Sequence, residues 1–496
     1  MSSSIGVSSS HKKSPAGQVR VDLRLVEAAP PRKAASRFRR AILICEAAAD
    51  LSTITFAVLT CYVAYYYLAL GRHIHYRLHT ILGLAFALAV LMVMMLDRAG
   101  AYGRGNSLLR VRETEQVLRA SAQAFVVALA VSFLSSYLIS RWFLVLCLAM
   151  VPLALFVQKS FMYLFVSALH SKGYGTERVL IYGSGCTGRR VFSALARSPR
   201  LGLDPVAFVD DDPARAGSAV FEMGYGRRRS APVVQGSVTN ELLTQYEVDL
   251  VIIAIPSVEG DKFLRTVEQA FSANVRVSFV PSHFLPSDPL VDYQDVDGVL
   301  LASFGKSTRR AGYELLKRAV DVVGSLSLLI LGMPLFLFIG LLVKLDSGGP
   351  VLFKQDRVGE GGAPFKMLKF RTMHLDAPTY DFSPKESCDP RITRLGRLLR
   401  RTSLDELPQL FNVLQGTMSL VGPRPEMPFI VAKYNQRHKQ RLQVKPGLTG
   451  LWQLSGDRGF LIHENIEYDL YYIQHRNFFM DLAILLHTSI FAMRGV

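Results

Sequence analysis

With 496 residues, half of them apolar, and a net charge of +17, the chain is too long and too hydrophobic for one small soluble domain. The excess positive charge suits anionic lipid, phosphorylated substrates or nucleic acid. Five scattered cysteines (Cys45, Cys61, Cys147, Cys186 and Cys388), none in a CxxC spacing, exclude a disulfide framework and a zinc site and read as reduced packing residues.

Residues 1–40 are rich in Ser, Pro and Arg and predict a disordered cytoplasmic tail without a secretory signal. A four-helix transmembrane domain is expected over 41–168. Its apolar stretches are Ala41–Leu70, Thr80–Leu96, Ala120–Ser140 and Trp142–Ser167, each near the ~20 residues a spanning helix needs. The tail and the second connection (Arg98, Arg104, Arg110, Arg112, Arg119) crowd positive charge, whereas the first connection carries only Arg72 and Arg77 and the third only Arg141. This alternation places the N-terminus and everything after Ser167 in the cytoplasm. Nothing polar in the spans reads as an ion or substrate path, so they read as an anchor or scaffold.

Residues 175–304 predict a Rossmann-like α/β domain of the dinucleotide- or CoA-binding kind. Strand Arg178–Tyr182 runs into Gly183-Ser184-Gly185-Cys186-Thr187-Gly188, which opens a helix. A second strand, Val206–Val209, ends in Asp210, where such folds place a ribose-binding acid. Gly183, Gly185, Gly188 and Asp210 are therefore candidates for a nucleotide site. The same glycines also suit a tight turn and helix–strand packing, and both readings stay open. Further strands are expected at Asp249–Ile255 and Val275–Val280, with helices near Val238–Tyr246 and Asp261–Ser272.

Ala319–Val343 is apolar and long enough to span a bilayer, yet Lys317 and Arg318 precede it and Lys344 follows. Basic flanks at both ends oppose a simple crossing, and Pro334 removes a helix hydrogen bond at its middle. A re-entrant helix over 317–344 is expected, entering the cytoplasmic leaflet, breaking near Met333-Pro334 and returning.

From Gly348 onward the chain is basic. Phe365–Met373 alternates like a half-buried strand, with Lys369 and Arg371 on one face. Arg391, Arg394, Arg397 and Arg400 repeat every three residues between Ile392, Leu395, Leu398 and Leu399, a basic amphipathic helix suited to an anionic bilayer. Ser403 and Glu406 read as a capping box that starts a helix near Leu404. Leu404, Leu407, Leu410, Phe411 and Leu414 would hold that helix to a core. Asp405 and Glu406 then sit in an exposed first turn, where the dipole and neighbouring arginines favour a phosphate. Plain dipole compensation would place acids there too. The Pro/Gly turns Val421–Pro425 and Lys445–Gln453 present Arg424 and direct Lys369, Arg371, Arg400, Arg424 and Arg458 toward one polyanion site.

From about Tyr313 to the end, the chain resembles the bacterial sugar transferases that initiate exopolysaccharide and capsule synthesis. The resemblance rests on Lys317-Arg318-x-x-Asp321, the segment around Pro334, Lys369–Met373, Thr402–Leu410, Gly422–Pro425 and Pro446–Gln453. The front of the chain looks like the large multi-pass branch. Met333 departs from the serine common in small members. The resemblance implies an α-helical membrane protein with four transmembrane helices plus a re-entrant helix, a Rossmann-like middle domain and an α-rich cytoplasmic catalytic domain over 312–496. It also implies a phosphotransferase of the bacterial inner membrane that moves a hexose-1-phosphate, glucose ahead of galactose, from a UDP-hexose to undecaprenyl phosphate. Asp405 would be the nucleophile. Glu406 would hold Mg²⁺, with Mn²⁺ as an alternative. Lys369, Arg371, Arg400, Arg424, Arg458 and Asp469 would contact substrate; Lys317, Arg318, Asp321 and Pro334 would lie at the membrane interface. A homo-oligomer is compatible with this; nucleic-acid binding is not expected, because the arginines lack interleaved aromatics. A membrane-bound nucleotide-sugar dehydratase, for which Tyr313-x-x-x-Lys317 has the right spacing, and a non-catalytic scaffold of polysaccharide assembly are the alternatives.

Overall fold

The computed structural model describes residues 32–68, 76–102, 110–134, 140–197, 201–224, 227–255, 260–280, 290–296, 299–305, 311–377, 389–454 and 466–493. They form several membrane-length helices and an α/β sheet region, in two compact units: Met1–Glu46 with Phe161–Phe284, and Ala47–Ser160 with Leu285–Val496. Cys388 and Arg458 lie outside the described residues.

Helices α1 (Arg32–Tyr67), α2 (Leu78–Arg98), α3 (Arg110–Leu134) and α4 (Arg141–Ser171) fall where the four apolar stretches are. The α1 helix starts at Arg32, so residues 32–40 are helical where a disordered tail was expected. That run holds good helix formers and no Gly or Pro. In the second unit Ala85 and Ala89 of α2, Ala120 and Ala124 of α3, Cys61 and Tyr65 of α1, and Phe143 and Cys147 of α4 make one buried cluster. Small side chains let the helices approach and the aromatic rings fill the gaps. Cys61 and Cys147 are thus packing residues, while Cys45 and Cys186 are exposed.

These spans are not purely apolar inside. Asp50 of α1 pairs with Lys159 of α4 at 2.7 Å, and Tyr102 donates to the same Asp50 oxygen at 2.7 Å. Both ends of the ion pair are buried. Asp50, which shares its apolar run with Glu46, and Lys159, the one charge in its own run, gave no sign that the two would meet. Asp50→Asn is expected to lower the stability of the helix bundle by about 1–2 kcal/mol, the scale of interhelical polar contacts in membranes. Unfolding in detergent measures this, and the double variant Asp50→Asn/Lys159→Met should recover part of the loss.

The first unit carries a six-stranded sheet ordered β3-β4-β2-β1-β5-β6. Its elements are β1 (Glu177–Tyr182), α5 (Cys186–Arg197), β2 (Leu203–Asp210), β3 (Ala219–Gly224), β4 (Arg227–Gln235), α6 (Asn240–Gln245), β5 (Leu250–Ile253), α7 (Gly260–Ser272) and β6 (Arg276–Phe279). All neighbours are parallel except β3 against β4. Val179–Tyr182 of central β1 is at most 1% exposed, the unbroken apolar run of a strand covered on both faces. The β3–β4 hairpin was not legible, since its Arg227-Arg228-Arg229 run reads as solvated charge.

The second unit continues with the hairpin β7 (Leu290–Val296) and β8 (Val299–Gly305), then α8 (Ala311–Asp346). A second hairpin, β9 (Leu352–Val358) with β10 (Pro364–Phe370), leads to α9 (Arg394–Arg401), α10 (Gln409–Gln415) and β11 (Ser419–Val421). Short α11 (Pro428–Val431), α12 (Gln436–Lys439), β12 (Gly447–Thr449) and α13 (Leu451–Leu454) precede α14 (Glu467–His475) and α15 (Phe478–Met493). The expected break at Met333-Pro334 is absent: α8 is one continuous helix with Pro334 in its interior. Asp321 and Ser325 near one end and Ile339 and Val343 near the other are buried. Between them Leu328, Ile330, Leu331, Met333 and Leu335 are exposed.

Candidate active site

The acids do not open a long helix. Thr393 caps α9 by accepting from the Gly396 amide at 2.9 Å, and a Cβ on Gly396 would lie 2.1 Å from the Thr372 carbonyl oxygen. The α9 helix therefore packs directly on the backbone after β10. It ends at Thr402, and Ser403 turns the chain at φ +56, a left-handed conformation rare outside glycine. Asp405 and Glu406 follow on one 3₁₀ turn, and α10 starts only at Gln409. The capping box is corrected accordingly: Ser403 in this conformation makes no side-chain cap. Leu404 and Leu407 pin the turn to Ile339, Val343, Phe370 and Leu399.

The two carboxylates meet different surroundings. Oε1 of Glu406 accepts from Lys369 Nζ at 2.7 Å and from Arg424 at 2.9 Å. Burial pushes this carboxyl up, but Arg424 and Lys369 outweigh it and hold it well below the usual range. Asp405 is 7% exposed, not on an open first turn as expected, and among the described residues no side chain or amide bonds to its carboxylate. Burial raises its pKa above the ordinary value; Lys369, Arg400 and Arg424 offset this in part, and the Glu406 charge adds to it. Neighbouring acids driven in opposite directions are suited to different tasks. Lys369→Gln removes the foremost charge holding Asp405 down. The acid limb of the rate–pH profile, set by the ionised fraction of Asp405, is expected to move to higher pH. An unmoved limb in Lys369→Gln would assign the limb to another group.

Arg424 is delivered by close backbone packing. The β11 and β12 strands pair in parallel, bringing the 422–425 turn against the 445–450 loop. A Cβ on Gly447 would lie 2.0 Å from the Gly422 nitrogen, and one on Gly450 2.4 Å from the Gly422 oxygen. The two Pro/Gly motifs are halves of one support. Arg400 donates to Thr372 Oγ1 at 2.9 Å and contributes to the field at Asp405.

Other expected contacts lie elsewhere. β10 ends at Phe370, so the alternation stops and Arg371 does not share the face of Lys369; it bonds to Ser347 at 2.8 Å. Asp469 is 2% exposed and paired with Arg441 at 2.7 Å, which rules it out as an open substrate contact in this arrangement. Lys317, Arg318 and Asp321 bond inside the protein instead of facing headgroups. Lys317 reaches Asp481 and the Val421 carbonyl, Arg318 caps α10 at Val413 and Leu414, and Asp321 accepts from Ser419 and Leu420. Tyr313 also donates to Asp481, so the Tyr-x-x-x-Lys pair is engaged in joining α8 to α15. Residues that sequence reasoning missed are Arg441, Tyr434 and Arg357. Arg441 donates to Tyr434 and to the Arg424 carbonyl, and Arg357 to the Pro425 carbonyl. Burial and the neighbouring Arg424 bring Arg357 down to about 10. None of the three stands in a pattern that distinguishes it from surface charge.

In the first unit Asp210 accepts from the Ser184 amide and hydroxyl, both at 2.7 Å, and from Arg215 at 3.3 Å. Burial raises its pKa, but these donors outweigh it and leave it below the ordinary value. Gly183 has φ +105, and a Cβ on Gly188 would lie 1.8 Å from the Gly183 carbonyl oxygen. Gly183 and Gly188 are accounted for by turn and packing, and the candidate ribose acid is satisfied internally.

Glu406 is a poor metal ligand as placed, because two cations already neutralise it. Among the described residues no group of three His, Cys, Asp or Glu side chains is placed to hold a metal ion.

A family model described as bacterial sugar transferase matches residues 312–495, and one described as CoA-binding domain matches residues 97–281. A UDP-galactose-lipid carrier transferase of Erwinia amylovora is 31% identical over 400 residues, 76% of this chain and 80% of its own. The UDP-glucose:undecaprenyl-phosphate glucose-1-phosphate transferase of Escherichia coli K12 is 31% identical over 68% of this chain and 73% of its own. An undecaprenyl-phosphate galactose phosphotransferase of Salmonella typhimurium is 31% identical over 77% and 81%.

Proposed function

This chain belongs to the bacterial sugar transferases and is a phosphotransferase, and from that premise we propose that it moves a hexose-1-phosphate from a UDP-hexose to undecaprenyl phosphate. UMP is released and the first sugar of a polysaccharide repeat is set on its lipid. The observation that carries the reading is a buried Asp405 carboxylate, without a hydrogen bond among the described residues, beside a Glu406 clamped by Lys369 and Arg424.

Asp405 attacks the β-phosphorus of the donor; the bond to the bridging oxygen breaks and UMP leaves with its electron pair. An oxygen of the lipid phosphate then attacks the same phosphorus, and the aspartyl O–P bond breaks, restoring the carboxylate. Arg400 and Arg424 stabilise the phosphoryl charge in both steps. Glu406 keeps Lys369 and Arg424 in place.

The exposed apolar middle of α8 supports its immersion in the bilayer, and as one continuous helix it does not turn back at Pro334. Arg394, Arg397, Leu398 and Arg401 on the exposed face of α9 would meet anionic headgroups. The strand order of the first unit supports a Rossmann-like domain, retained here as structure, given the internal bonding of Asp210. The related transferases are named for glucose and for galactose, and glucose is our first choice.

The test is UMP release by the full chain in membranes, with and without undecaprenyl phosphate, across UDP-glucose, UDP-galactose and their N-acetyl analogues. Acceptor-dependent release is expected, fastest from UDP-glucose. Silence with every donor would leave a scaffold.

A further inference from the structure

Arg371 is 6% exposed, and its Nε and one terminal nitrogen are buried without a hydrogen-bond partner. Its other terminal nitrogen donates to the Ser347 carbonyl and, at 2.8 Å, to the Ser347 hydroxyl. Among the described residues no carboxylate pairs with it. A buried donor left without a partner forfeits its hydration uncompensated, and a charged donor loses more than a neutral one. A guanidinium desolvated with neither its donors nor its charge answered is the arrangement that an absent anion would complete.

The surroundings say which kind of anion. Ser347 directly follows α8, whose Leu331, Leu337, Leu341 and Leu345 are 80%, 69%, 58% and 73% exposed. At Gly349, φ is +111, and a Cβ there would lie 2.5 Å from the Arg371 terminal nitrogen and 3.0 Å from a Leu375 methyl carbon. The absent side chain at 349 is what admits the guanidinium. Leu375, 63% exposed, packs beside the same turn. Lys344 bonds the Gly349 carbonyl at 3.1 Å and adds a second positive charge at the rim. The neighbours of Arg371 face another way: Lys369 reaches Glu406 and Thr372 receives Arg400.

We propose that Arg371, Ser347 and the Gly348-Gly349 turn form a binding site for the phosphate group of a membrane lipid, distinct from the Glu406 cluster. The planar fork of arginine matches phosphate oxygens, and the exposed leucines of α8 receive the hydrocarbon chain. The phosphate could be the head of the polyprenyl acceptor waiting beside the site, or that of a phospholipid holding α8 in place. Only the acceptor version rests on the function proposed above.

The test uses the full chain, delipidated in detergent and titrated with undecaprenyl phosphate, undecaprenol, phosphatidylglycerol or inorganic phosphate, with the thermal midpoint as readout. A ligand that prefers the folded state raises the midpoint in proportion to its affinity. Undecaprenyl phosphate or phosphatidylglycerol is expected to raise it where undecaprenol does not. Arg371→Met should weaken that binding at least about tenfold, the loss of one charge-assisted contact of ~1.4 kcal/mol or more. Ser347→Ala should weaken it less. Asp405→Asn should bind as the wild type, so the result is independent of catalysis and of whether UMP is ever released. Which of the two lipids binds tighter assigns the source. Equal lipid binding by Arg371→Met, with a midpoint above wild type, would mean a buried water is the real partner and overturn the site. So would a response to inorganic phosphate alone. If Arg371→Met does not fold, Arg371→Lys keeps a charge and loses the fork, and unchanged binding there overturns the site equally.

Discussion

Asp405→Asn is expected to lower sugar-phosphate transfer by at least about 10⁴-fold, the scale of removing a covalent nucleophile, while the protein stays folded. The amide is nearly isosteric. Because no hydrogen bond to the Asp405 carboxylate occurs among the described residues, the substitution breaks no network. The change also relieves a buried charge whose pKa is already pushed up. Stability should therefore hold or rise as activity disappears, the opposite of what a structural acid would do. A second readout isolates the covalent step. Donor labelled in the sugar and supplied without acceptor should leave label on the wild-type chain, sensitive to hydroxylamine as an acyl phosphate is. Undecaprenyl phosphate should discharge that label. Label retained by Asp405→Asn, or transfer near the wild-type rate, would remove Asp405 from the role and leave direct displacement between the two substrates.

Asp469→Asn is expected to destabilise the second unit by about 3–5 kcal/mol, the usual consequence of stripping one partner from a buried ion pair. Arg441 is 3% exposed and bonded to Asp469, Tyr434 and the Arg424 carbonyl. Loss of Asp469 leaves that guanidinium short of charge and loosens the turn that carries Arg424 to Glu406. Activity should fall through kcat, because the misplaced group is one that stabilises phosphoryl charge. Denaturant unfolding and KM distinguish this from a substrate contact, which would raise KM at unchanged stability. The double variant Asp469→Leu/Arg441→Met should regain much of the stability and little of the activity, since apolar packing can replace the pair but cannot fix the Arg424 carbonyl.

The amino-acid sequence by itself determined the long-range plan of this protein. Four apolar runs located α1 to α4, and a Gly-rich turn after an apolar strand located β1 and α5, because periodicity and glycine punctuation act over a few residues. The bunching of basic and acidic residues around Asp405 likewise named Lys369, Arg400, Arg424 and Glu406 before any geometry. Tertiary structure decided what each charge does. Asp50 and Lys159, 109 positions apart in the chain, meet only when helices pack. Arg371 leaves the face of Lys369 because β10 stops one residue earlier, and Asp469 turns inward because Arg441 is there to receive it. Asp405 and Glu406 look alike as neighbours in sequence. Their difference lies in the surroundings: among the described residues two cations converge on one carboxylate and none bonds the other, and a charge in a buried place takes its role from the groups that the fold sets around it.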